Sequence, residues 1–187
     1  SYCAGATVAY HFLRGEFHHE PYERTEQATQ EAYRAGLLGD GVLGSDIDIQ
    51  IHNVLGAGAY IAGEETGLME ALEGKKALPR FKPPFPAVFG LYGRPTTICN
   101  PETFASLPAI MLKGAEWFLD IGIPNNGGPK ILSVSGHVAR PGNYEVPLGT
   151  PFPELLALAG GMREGRKLKG VMPGGTTMKG IPAGRMM

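Results

Sequence analysis

The sequence predicts an α/β chain in two modules, a larger one built on a strand–helix–strand unit and a smaller one of order ββαβ. Three observations carry this. Residues 7–14 are β-branched and aromatic up to Gly15, and residues 47–52 alternate strictly between apolar and polar, so both read as strands. Between them, residues 21–35 open on Pro21 and stop at Gly36, the punctuation of a helix. After Asn125-Asn-Gly-Gly-Pro129, residues 130–135 and 143–146 read as strands, 151–159 as a short helix closed by Gly160 and Gly161, and 168–172 as a third strand.

Taken in order, the first strand, helix and second strand have the size of a βαβ unit, for which a right-handed crossover is expected. Tyr22, Ala28, Ala32 and Ala35 are the expected buried face of its helix. A glycine turn from Gly56 then leads into a helix that opens on Glu64 and Glu65, carries Leu68, Met69 and Leu72 at helical spacing, and ends at Gly74. Residues 76–95 form a proline-rich loop too long for a simple connector. Helix signals resume at Pro101, run to about Gly114, and continue through 116–120 to Gly122. The break at 125–129 places the domain boundary, giving 1–126 and 127–187. The ββαβ order of the second part suggests a β-grasp module.

Composition narrows the function. Hydrophobic residues at 43% and charged residues at 19% suit a globular core rather than a disordered chain. A net charge of -1 offers no field for nucleic acid. No apolar run approaches the ~18 residues of a spanning helix, so no direct membrane insertion is expected. Residues 1–9 lack the basic start of a signal peptide. Cys3 and Cys99 form no paired motif, which argues against a disulfide framework or a metal centre held by this chain alone and fits a reducing cytoplasm. His11, His18, His19, His52 and His137 have no metal-ligand spacing, and His18-His19 reads as solvent-facing. The abrupt ends read as those of an internal fragment.

The sharpest motif is Gly56-Ala-Gly-Ala-Tyr-Ile-Ala-Gly-Glu-Glu65. Glycines between a strand and a helix let backbone approach a flat or phosphorylated ligand, and free N–H groups at a helix start favour its anionic parts. A tight turn with two acids at the positive end of a helix explains the same spacing equally well. Read singly, Tyr60 would be core, Lys82 a solvated cation and Phe85 loop packing.

The motif is followed by Pro79-Arg-Phe-Lys-Pro-Pro-Phe-Pro86, Gly90-Leu-Tyr-Gly-Arg-Pro-Thr-Thr97 and Asn100-Pro-Glu-Thr103. In this order the set resembles the flavoprotein subunit of respiratory complex I, with related subunits in NAD-reducing hydrogenases and NAD-dependent formate dehydrogenases. The likeness runs through essentially the whole chain. It implies the C-terminal part of a Rossmann-like flavin-binding domain followed by a soluble-ligand-binding β-grasp (SLBB) domain. The run Ser135-Gly-His-Val-Ala-Arg-Pro-Gly-Asn-Tyr-Glu-Val146 is similar to that second domain.

The resemblance implies FMN and NAD(H) as cofactors, with hydride passing from NADH to FMN and electrons then reaching iron–sulfur clusters and quinone. Tyr60, Gly63, Glu64 and Glu65 match the stretch along the FMN ring, Gly56 and Gly58 of the same motif are expected cofactor-binding positions, and Glu65 also matches an acid that touches NADH. Lys82 and Phe85 match residues that hold the nicotinamide nucleotide. Asn100 and Thr103 match a second cofactor-contacting turn, and Cys99 occupies a cofactor-binding position just before them. No side chain of the chain is expected to be catalytic, because the flavin does the chemistry. The resemblance also implies a 4Fe-4S cluster in the whole subunit, with no ligands here, and partners in a peripheral-arm NADH dehydrogenase module that include a 2Fe-2S subunit. The place implied is cytoplasmic, peripheral to the inner membrane.

Two positions depart from the family pattern. Cys99 stands where an Asn is usual, and a thiol lacks the amide's paired donor and acceptor. Ala62 stands where a Cys is usual. The family's glycine-rich loop would lie before Ser1 and its cluster-binding bundle after Met187, so the fragment alone is expected to be inactive. A non-catalytic interaction module is the alternative from another class.

Overall fold

The computed structural model describes residues 1–175 and 177–185. They form two compact units, Ser1–Cys99 and Asn100–Met187.

In the first unit, β1 (Val8–Leu13) and β2 (Gln50–Leu55) pair in parallel, in register from Val8↔Gln50 to Leu13↔Leu55. Between them runs α1 (Glu20–Arg34), with Pro21 in its first turn. The second strand begins later than the predicted residue 47. Residues 47–49 instead close the loop after α1, where Gly39 and Ile49 exchange backbone hydrogen bonds and the Val42 N–H donates to Ile47. Only the second half of the alternating run enters the sheet.

The helix meets β2 through polar groups, which corrects the predicted face. Tyr22 and Ala32 are half-buried, but Ala28 and Ala35 are exposed. The Tyr33 hydroxyl donates to Gln50 Oε1 at 3.0 Å and accepts the Ile51 N–H at 3.0 Å. Asn53 Nδ2 donates to Glu26 at 2.9 Å and to Thr29 at 3.0 Å. These hydrogen bonds are directional, so they fix the helix in rotation where an alanine stripe would let it slide.

After β2, a 3-10 turn (Tyr60–Gly63) leads into α2 (Glu65–Leu72). Leu13, Ile49, Ala62, Met69, Pro86 and Leu91 are buried apolar residues of this unit.

In the second unit, α3 (Pro101–Lys113) and α4 (Ala115–Leu119) are separated by Gly114, whose φ of 89° ends the first helix. Next come two short antiparallel pairs, β3 (Gly122–Ile123) with β4 (Asn126–Gly127) and β5 (Pro129–Val134) with β6 (Gly142–Pro147). The helix α5 (Phe152–Leu158) follows, then β7 (Gly170–Val171) with β8 (Ile181–Pro182). The strand expected at 168–172 is thus two residues long, and it pairs with a downstream segment rather than with the hairpin. The hairpin turn is held instead by residues after α5: Ala139 N–H donates to Gly161 at 2.9 Å and Arg140 N–H to Ala159 at 2.8 Å.

The compact units divide at 99/100, and the expected domain boundary at 126/127 lies within the second of them. The hairpin of β3 and β4 spans residues 122–127, with Asn125 at φ 63° in its turn. A Cβ on Gly127 would lie 2.6 Å from the Leu119 backbone, so this hairpin packs on α4. Glu102 adds a second tie, accepting the Ile131 N–H at 2.9 Å and the Lys130 ammonium at 2.7 Å. Among the described residues no helix is long and apolar enough to cross a membrane.

Candidate functional site

The candidate site is the junction of the glycine turn, α2 and the proline-rich loop. Glu64 is the N-cap of α2. Its Oε2 accepts the Thr66 N–H at 2.9 Å, the Gly67 N–H at 3.1 Å and the Thr66 hydroxyl at 2.5 Å. This satisfies N–H groups a helix start otherwise leaves open. Burial pushes the Glu64 carboxyl up, but the hydrogen bonds from Thr66, Gly67 and Lys82 outweigh it and hold it below the ordinary range. Its other oxygen faces the loop, where Lys82 Nζ lies at 3.3 Å and also contacts Glu65. The Lys82 ammonium is stabilised first by the hydrogen bond to Glu65, against some burial, then by Glu64, and its pKa is raised.

Glu64, Glu65 and Lys82, eighteen positions apart at the extremes, therefore form one cluster. Tyr60 and Gly63 lie in the turn just before it. Tyr60 is 85% exposed rather than core. Phe85 is 58% exposed, so it is not buried loop packing either. Its carbonyl accepts the Val88 and Phe89 N–H groups at 2.9 and 3.0 Å, which turns the loop under it. A Cβ on Gly63 would meet nothing within 4 Å. Gly58 has φ 125°, a conformation glycine adopts without strain. Gly56 has a different reason to be glycine, since a Cβ there would enter the Phe12 ring.

The second turn belongs to the other unit. Asn100 caps α3, accepting the Glu102 N–H at 2.9 Å, and Thr103 lies exposed in its first helical turn. Cys99 is an exposed free thiol at the end of the first unit.

Sequence reading missed the residues that brace this site. Arg80 donates through its guanidinium to Glu70, to Glu73 at 2.8 Å and to the Gly90 carbonyl at 3.1 Å. Its backbone N–H donates to the Thr66 hydroxyl at 2.8 Å. Glu73 also accepts from Lys75 and from the Tyr92 N–H. The Lys75 hydrogen bond, opposed by burial and reinforced by Arg80 and Tyr92, lowers its pKa to about 2. The available signal was acids at three-residue spacing on a short helix, followed by an arginine in a stiff loop.

No group of three potential metal ligands occurs among the described residues. The arrangement offers exposed aromatic faces, an open glycine and a fixed carboxylate–ammonium cluster, which suit a flat ligand with charged appendages.

The fold and this site define a mixed α/β protein with an acid-capped helix beneath a braced loop, joined to a small β-rich module. Two family models match, the Nuo51 FMN-binding domain over residues 1–109 and the SLBB domain over residues 131–180. The chain belongs to the Nuo51 FMN-binding domain family. It is 50% identical over 184 residues to the F subunit of NADH-quinone oxidoreductase from Rickettsia typhi, covering 97% of this chain and 44% of that protein. It is 49% identical over 187 residues to the second F subunit of the same enzyme from Rhizobium meliloti, covering 100% of this chain and again 44% of the relative. The chain thus spans less than half the length of these curated relatives. An NAD+-reducing NiFe hydrogenase in its air-oxidized state superposes with a TM-score of 0.82 at 34% identity, over 96% of this chain and 29% of the other. The H2-reduced state of that enzyme gives 0.78.

Proposed function

We propose that this chain supplies one wall of the FMN and NADH site in the flavoprotein subunit of an NADH:quinone oxidoreductase. The observation that carries this is the cluster of Glu64, Glu65 and Lys82, flanked in sequence by the exposed rings of Tyr60 and Phe85. The residues present fit a flavin and a nicotinamide nucleotide. Gly63 leaves open space and Tyr60 an uncovered aromatic face for a ring, while Lys82 and Phe85 offer a cation and a stacking surface.

FMN, when bound, supplies the hydride acceptor and releases electrons one at a time. The chain's own residues bind and orient. Tyr60 and Gly63 border the flavin, Glu65 and Lys82 grip the nucleotide, and Phe85 bounds its ring. Glu64 holds the start of α2 so that Glu65 faces the nucleotide. By their match to the family pattern, Asn100 and Thr103 form the second cofactor-contacting turn, with Cys99 offering a thiol where an amide is usual.

In this reading the whole subunit works in a peripheral-arm module beside a 2Fe-2S subunit, on the cytoplasmic side of the inner membrane, and electrons leave through a 4Fe-4S cluster outside this chain. The likeness to an NAD+-reducing hydrogenase favours the corresponding hydrogenase subunit as second reading. The 50% identity to the quinone-reducing relative, against 34% to the hydrogenase, supports the first.

The test is purification of the full-length parent subunit. It is expected to carry FMN and to reduce ferricyanide with NADH. A protein that takes up no flavin and shows no such activity refutes the proposal.

A further inference from the structure

Thr66 is the only buried polar or charged residue among those described, at 1% exposure. A buried hydroxyl is costly unless its donor and acceptor are both used. Both are used here, and they link two segments: the hydroxyl donates to Glu64 at 2.5 Å and accepts the Arg80 N–H at 2.8 Å. The Arg80 guanidinium then returns to α2 at Glu70 and Glu73. Thr66, Glu70 and Glu73 follow one another at helical spacing, so one face of α2 holds Arg80 at both its backbone and its side chain. Arg80 also binds the Gly90 carbonyl at 3.1 Å, which closes the loop on itself. Lys82, which reaches Glu64 and Glu65, is two residues further on.

Lysine is a flexible point charge whose ordering costs rotamer freedom, so a fixed backbone beneath it lowers the cost of each contact it makes. Neither Thr66 nor Arg80 is needed to cap α2, because Glu64 already accepts two backbone N–H groups there.

We propose that Thr66 and Arg80 are positioning residues for nucleotide binding. They lock the Lys82 loop onto α2, so that Lys82 and Glu65 meet the nucleotide already in place. The inference rests on the NADH-site reading above. It assigns to the pair an effect on nucleotide affinity, not on flavin retention or on the hydride step.

The experiment uses the full-length, FMN-loaded subunit and compares Thr66→Val, which keeps the shape but removes the hydroxyl, with Thr66→Ser, which keeps it. Flavin content, NAD+ affinity by equilibrium binding, and KM and kcat for NADH with ferricyanide are read. Thr66→Val is expected to raise the NAD+ Kd and the NADH KM about tenfold, the worth of one buried hydrogen bond. Flavin content and kcat are expected to stay near wild type, and Thr66→Ser to recover most of the affinity. Wild-type affinity in Thr66→Val overturns the proposal, as does an equal loss in Val and Ser variants or a fall in kcat with KM unchanged. Should Thr66→Val fail to fold, Glu73→Gln loosens Arg80 from the other end of the same helix face. A raised Kd with kcat kept then supports the proposal, and an unchanged Kd overturns it. A wild-type subunit without flavin or nucleotide affinity sinks the function reading and this inference with it. Wild-type binding indifferent to these variants sinks this inference alone.

Discussion

Glu64 and Lys82, eighteen residues apart in the chain, meet at 3.3 Å because the two oxygens of the Glu64 carboxylate have different partners. One is committed to the start of α2, accepting two backbone N–H groups and a hydroxyl. The other is left for the loop. A single side chain thereby ends the glycine turn, starts the helix and receives the loop that carries the cation.

The capping half of that relationship has a stability consequence. Glu64→Ala leaves two N–H groups of α2 without acceptors, and loss of such a cap costs about 1 kcal/mol. Urea unfolding is expected to show this loss, while Glu65→Ala, whose carboxylate accepts no helix N–H, is expected to cost less. Equal losses would mean that the cap contributes nothing.

Glycines in one motif are expected to fail in different ways. At Gly56 a methyl group enters the Phe12 ring, so Gly56→Ala overpacks the strand and is expected to cost about 1–3 kcal/mol. At Gly63 a methyl group meets nothing, so Gly63→Ala is expected to leave the unfolding midpoint in place and to weaken flavin retention in the full-length subunit. Thermal melts with flavin absorbance on the two variants check both outcomes.

Met69 is 1% exposed at the centre of the first unit. Met69→Ala removes a buried side chain and is expected to cost about 2–5 kcal/mol, measured by denaturant unfolding. A smaller loss would show that the surrounding residues collapse into the space.

Acid is expected to weaken the brace. The Lys75 hydrogen bond, against burial and with help from Arg80 and Tyr92, holds the Glu73 pKa at about 2, below the ordinary 4.5. The folded state therefore binds fewer protons between those values, and stability falls as pH falls from 4.5 towards 2. It is fully present above 4.5. Melting temperatures across this range are expected to drop less steeply for Glu73→Gln, and an unchanged slope would remove Glu73 from the acid response.

The elements of the first unit were legible because each carries local punctuation. Pro21 and Gly36 bracket α1, and Gly74 closes α2, whatever the rest of the chain does. Periodicity could not show that β2 starts after residue 49, because residues 47–49 keep the same alternation while bonding to the loop after α1. The rotation of α1 was likewise hidden. Its inward face carries Tyr33, Glu26 and Thr29, chosen by hydrogen bonds to β2 that no apolar pattern encodes.

At the site, sequence by itself determined the residue types and their order: the glycine turn, the paired acids, and a lysine and phenylalanine in a proline-rich loop. Those follow from local chain chemistry and from a family pattern that spacing preserves. Tertiary structure alone decided that Tyr60 faces outward, that Glu64 spends one oxygen on the helix, and that Arg80 and Thr66 tie the Lys82 loop to α2. The physical reason is that hydrogen bonds and ion pairs between distant segments depend on where folding brings the backbone. A linear sequence states only which groups are available to make them.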